Sequence, residues 1–106
     1  MAVQKYNKLV RDKIPEIISS QGNYCVTEVL TDNDYLLMVD AKLDEELAEY
    51  HKDQNIEELA DLLEVVYAAT VARGYTIEQL HKIRDAKLAE RGGFEKKLLL
   101  KQVIEK

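Results

Sequence analysis

Residues 45–61 read E-E-L-A-E-Y-H-K-D-Q-N-I-E-E-L-A-D, and this stretch decides the fold. Two helical segments, each carrying carboxylates three residues apart, flank a break at Asp53-Gln54-Asn55. On a helix, positions i and i+3 share a face, which pairs Glu46 with Glu49 and Glu58 with Asp61. If the two helices fold back across the tight turn, all four acids converge near one end of a hairpin. At about 5 Å and an effective dielectric of about 20, a like-charge pair costs roughly 3 kcal/mol. The pattern therefore calls for a cation among the acids, or for their protonation.

The flanking residues sharpen this expectation. Glu58 and Asp61 share a stripe with Val65, Ala69 and Ala72, in a segment that Leu59, Leu62, Leu63, Val65 and Val66 make apolar nearly all round. Such a helix belongs at the centre of a bundle, where its carboxylates lose water and an unpaired charge is costly. On the preceding helix the apolar stripe is Leu36, Val39, Leu43, Leu47 and Tyr50. Glu46 and Glu49 run along its edge with Lys42 and Asp53, and Glu45 points further round. An all-carboxylate donor set selects a hard cation, Mg²⁺ or Mn²⁺, over zinc, which takes His or Cys. The alternative is a solvated acidic helix pair. One E-x-x-E favours that alternative, and two such pairs on apolar stripes favour the metal.

A chain of 106 residues is one small domain, 1–106, with a core short enough to invite oligomerisation. The 15 basic and 20 acidic residues leave a net charge of -5, which argues against a nucleic-acid polymer as partner. The single Cys25 excludes an internal disulfide framework and suits a reducing cytoplasm. No signal peptide and no membrane-length apolar run are present in the sequence.

In chain order, residues 4–14 form an irregular arm that gathers Lys5, Lys8, Arg11 and Lys13 within nine residues. Pro15 suits a helix start, and a short helix runs from Glu16 to Gln21 before Gly22. Tyr24–Leu30 (Y-C-V-T-E-V-L) has the β-branched content of a strand, with Cys25 as a small core or edge residue. The residues Thr31–Asp34 cap a long helix that extends to Asp53, and Asn55 caps the next, with Glu58 as its capping-box partner. That helix ends at Arg73-Gly74. Thr76 and Gln79 box a last helix that ends at Gly92-Gly93, where Arg84, Lys87 and Arg91 prolong the Ile77–Leu80–Ile83 stripe. Residues 94–105 suit a helix or a strand, because the Leu98–Leu100 block has no period, and a strand able to pair with 24–30 is the favoured reading. His51 and His81 read as exposed helical residues. The expected fold is mainly α, an antiparallel helical bundle with a small two-stranded β element, completed by oligomerisation.

Glu45-Glu46-x-x-Glu49 followed by Glu58-x-x-Asp61 resembles the E-E-x-x-E and E-x-x-D signature of the MazG-type all-α nucleotide pyrophosphohydrolases. The arm K-L-V-R-D-K-I-P (Lys8 to Pro15) and E-R-G-G-F (Glu90 to Phe94) resemble a branch of that family labelled phosphoribosyl-ATP pyrophosphohydrolase-like. The resemblance covers nearly the whole chain. It implies Mg²⁺-dependent cleavage of a nucleoside triphosphate to a monophosphate and pyrophosphate. It also implies metal ligation by Glu46, Glu49, Glu58 and Asp61, and a homodimer or homotetramer. Of the catalytic acids Glu45, Glu46 and Glu49, it leaves Glu45 to hold a second ion or orient the attacking water. Beside it, Lys8, Arg11, Lys13, Lys87 and Arg91 are candidates for the remaining phosphate contacts. The Ser-Tyr-Thr stretch of the histidine-pathway enzymes is missing before the long helix. That favours housekeeping removal of non-standard nucleotides over hydrolysis of phosphoribosyl-ATP. A non-catalytic helical association module is the competing expectation from another class.

Overall fold

A computed structural model describes residues 2–106 and contains four helices, α1 (Ile14–Ser20), α2 (Asp32–Asp53), α3 (Ile56–Ala72) and α4 (Ile77–Arg91). The chain forms two compact units, one ending at Tyr75 and the other comprising Thr76–Lys106. In the first, α2 and α3 pack as an antiparallel hairpin joined by Gln54 and Asn55 alone. Each end of this hairpin has a local cause. The Thr31 hydroxyl accepts the Asp34 N–H at 3.2 Å and caps α2. Gln54 stops α2 in the left-handed region, at φ 52, with its N–H on the Tyr50 carbonyl at 2.7 Å. Asn55 then opens α3 by accepting the Glu58 N–H at 3.0 Å. At the far end Gly74, at φ 89, turns the chain, and the Arg73 guanidinium reaches back to Asp40 on α2 at 3.0 Å.

The core of the first unit lies where the α2 stripe meets α3. Val39 is fully buried at its centre, while Leu36, Leu43, Tyr50, Leu62, Val65 and Val66 are half-buried. Among the described residues Val39 is the one fully buried hydrophobe. Contrary to the expectation from its apolar girdle, α3 is not enclosed on all sides: Leu59, Leu63 and Val71 are exposed, because one partner helix covers only one face.

The segments read as strands, 24–30 and 94–105, are irregular, and no strand occurs among the described residues. A strand exists only through hydrogen bonds to a neighbour, and β-branched content alone supplies none. Tyr24, Val26, Val29, Leu98, Leu99 and Leu100 are accordingly exposed, as is Cys25, which is neither core nor strand edge. In the second unit α4 carries the complete Thr76–Gln79 capping box and ends at Gly92, φ 80. No described helix is long and apolar enough to cross a membrane.

Candidate metal centre

The hairpin brings the acids of α2 and α3 together beside its turn. Carboxylate oxygens of Glu46, Glu58 and Asp61 lie within 4.8 Å of one another, and those of Glu49, Asp53 and Glu58 form a second such group. Glu58 belongs to both. The first group is half-buried, and the second is exposed at Glu49 and Asp53. The four acids expected to meet are thus divided between two groups that share Glu58, and Asp53 joins the one that holds Glu49. Its position, one helical turn beyond Glu49, was its only signal in the sequence.

The capping expectation for Glu58 resolves into two parts. Its backbone N–H serves the Asn55 cap, while its carboxylate sits in the acidic groups. Partial desolvation, reinforced by Asp53, Asp61, Glu49 and Glu46, raises its pKa above the ordinary carboxylate value. A proton or another positive charge is favoured there.

Basic residues border the cluster on one side. Lys42 Nζ lies 3.3 Å from Glu45 Oε1 and 3.5 Å from Glu46 Oε1, both along α2 itself. From the N-terminal arm, Lys8 Nζ reaches Glu45 Oε1 at 3.2 Å and the Arg11 guanidinium donates to Asp61 Oδ1 at 2.7 Å. Glu45 therefore faces lysines rather than the other acids. Burial pushes its pKa up, but hydrogen bonds and charge from Lys8 and Lys42 outweigh that and hold it below the ordinary value.

The other candidate residues are placed differently. Lys13 stands exposed at the N-cap of α1, without an ion pair among the described residues. Lys87 and Arg91 are exposed on α4 in the second unit, where Arg84 pairs with its neighbour Asp85 at 3.1 Å. The His51 ring lies 6.0 Å from that of Tyr50, tilted by 52°.

The donor set fits a hard divalent ion. It is wholly carboxylate and supplied by two facing helices, and within each group of three the oxygens lie close enough to share one centre. It contains neither the His nor the Cys that zinc prefers.

No family model matches this chain, and no solved structure matches it. A search of curated proteins finds an uncharacterized protein of Mycolicibacterium smegmatis (strain ATCC 700084 / mc(2)155), 52% identical over 42 residues. The match covers 40% of this chain and 43% of that protein, so less than half of either is shared.

Proposed function

We propose that the chain is a Mg²⁺-dependent nucleoside triphosphate pyrophosphohydrolase of the MazG type, releasing pyrophosphate and a nucleoside monophosphate. The observation that carries it is the pair of overlapping carboxylate groups, Glu46–Glu58–Asp61 and Glu49–Asp53–Glu58, built from both arms of one hairpin. Glu46, Glu49, Glu58 and Asp61 would hold Mg²⁺ or Mn²⁺, with Asp53 as a further donor. Such an ion offsets the charge of a triphosphate and lowers the pKa of a bound water. The chain's own residues hold that charge at the hairpin's turn. Glu45, kept ionised by Lys8 and Lys42, is an acceptor for an attacking water's hydrogen bond. Lys8 and Arg11, already beside the acids, supply donors for phosphate oxygens.

Association of subunits belongs to the same proposal. Leu37, Ile56, Leu59, Leu63 and Val71 leave the hairpin with apolar surface that a second hairpin would cover, completing a helical bundle as a homodimer or homotetramer.

The test is a panel of standard and non-standard nucleoside triphosphates together with phosphoribosyl-ATP, assayed for pyrophosphate with and without Mg²⁺. Metal-dependent release from nucleoside triphosphates supports the proposal. Preference for phosphoribosyl-ATP would move the chain to the histidine-pathway reaction. Folded protein that releases no pyrophosphate from any compound would leave the association module as the better account.

A further inference from the structure

We propose that the N-terminal arm is a counter-ion strap, whose Arg11 competes with a divalent cation for Asp61 and moves to substrate phosphate when the cation takes its place. This rests on the metal-dependent function proposed above and concerns the control of that same site.

Residues 2–11 have no regular secondary structure, yet two of their cations meet the acidic hairpin far away in sequence, Lys8 at Glu45 and Arg11 at Asp61. Arg11 binds Asp61, a member of the half-buried carboxylate group, and Lys8 binds Glu45, which flanks it. Lys42 differs from both. It sits on α2 one turn from its partners, with a side chain only 19% exposed, so its charge is a fixed part of the site. The Arg11 side chain is 58% exposed and anchored through an irregular segment, and a solvent-facing pair of this kind is weak enough to exchange.

The exchange has a direction. A guanidinium and a divalent ion compete for the Asp61 carboxylate, and the divalent ion carries twice the charge. Once released, the guanidinium presents a planar fork of donors that matches phosphate as well as it matched carboxylate. A polyphosphate held at the cluster brings new anionic oxygens to the vacated donors. The strap thus opposes metal binding and favours metal–polyphosphate binding, which couples the two.

Isothermal titration separates these effects, first with Mn²⁺ alone and then with inorganic tripolyphosphate in saturating Mn²⁺. Circular dichroism verifies that each variant is folded. Arg11→Gln is expected to bind Mn²⁺ about two- to fivefold more tightly, the worth of an exposed ion pair. The same variant should bind tripolyphosphate about tenfold more weakly, the worth of a charge-assisted hydrogen bond. Arg11→Lys should fall between this variant and the unaltered protein. Lys5→Gln removes the same charge from the same arm without touching an acid, and should stay within about twofold on both ligands. Equal shifts in Lys5→Gln and Arg11→Gln would overturn the strap, because they would reflect net charge alone. So would an Arg11→Gln protein that matches the unaltered one, while Asp61→Asn still loses Mn²⁺. In that case the metal site stands without a strap. If neither the unaltered protein nor Arg11→Gln binds Mn²⁺ at all, the metal site itself fails and the strap with it.

Discussion

Replacing Glu46 by Gln should make the protein more stable in chelator and less stable in metal. Oxygens of Glu46 and Asp61 lie within 4.8 Å. Two charges at that distance repel by about 0.9 kcal/mol in bulk water and about 3.5 kcal/mol at an effective dielectric of about 20. The Glu46 side chain is 13% exposed and that of Asp61 44%, which places the pair between these limits. Against this, Glu46→Gln gives up the Lys42 pair at 3.5 Å, an i,i+4 contact worth about 0.3–0.5 kcal/mol. A net gain of about 0.5–3 kcal/mol follows, or about 2–12 °C in Tm for a domain of this length. The assay is thermal unfolding by circular dichroism, in EDTA and again in Mn²⁺ at about 1,000 times its Kd. There the unaltered protein should gain about 4.1 kcal/mol. Glu46→Gln should gain little, so the order of stability reverses between the two buffers. A variant that melts below the unaltered protein in EDTA would refute the repulsion. Equal gains of both proteins in Mn²⁺ would remove Glu46 from the ligand set.

Three further outcomes are expected. Gln54→Gly should raise stability by about 0.5–1 kcal/mol, since residue 54 sits at φ 52, where a side chain is strained; denaturant titration reads this, and a loss would show that the Gln54 side chain stabilises the turn. Asn55→Ala should cost about 1 kcal/mol by removing the α3 cap, and unchanged stability would mean that the cap contributes nothing to the hairpin. The two shifted acids give opposite pH dependences in chelator. Glu58, raised above the ordinary 4.5, favours the folded state as pH falls through its raised value, so Glu58→Gln should increase Tm at neutral pH. Glu45, lowered, contributes stability that is complete above 4.5 and is lost as pH falls through its lower value. Glu45→Gln should therefore flatten the acid limb of a Tm–pH profile, and an unchanged limb would count against the Lys8 and Lys42 contacts.

The helices and the acidic cluster were legible in the sequence because both follow local rules. Caps at Asn55 and Thr76 and stops at Gly74 and Gly92 depend on neighbours three or four residues away, and so does the placement of Glu46, Glu49, Glu58 and Asp61 on shared faces. What required a distant partner was read less well. The β-branched run at 24–30 and the leucines at 98–100 suit a strand, but composition cannot supply the strand that would pair with them. The apolar girdle of α3 implied an enclosed helix, although a single hairpin offers only one covering neighbour. The Arg11–Asp61 bond joins residues 50 positions apart, and nothing in the arm's composition distinguishes Arg11 from Lys13, which stays unpaired among the described residues. Glu45 carried the motif's first acid, yet its lysine partners came from one turn away and from the arm, which periodicity alone could not combine.

The most direct measurement is an anomalous difference map from crystals soaked in MnCl₂. A peak bounded by carboxylate oxygens of Glu46, Glu58 and Asp61, with Glu49 or Asp53 completing the shell, is the expected result. A map without manganese at the hairpin, with the acids still gathered and the protein saturated with the ion, would contradict the claim that these side chains converge to hold a metal.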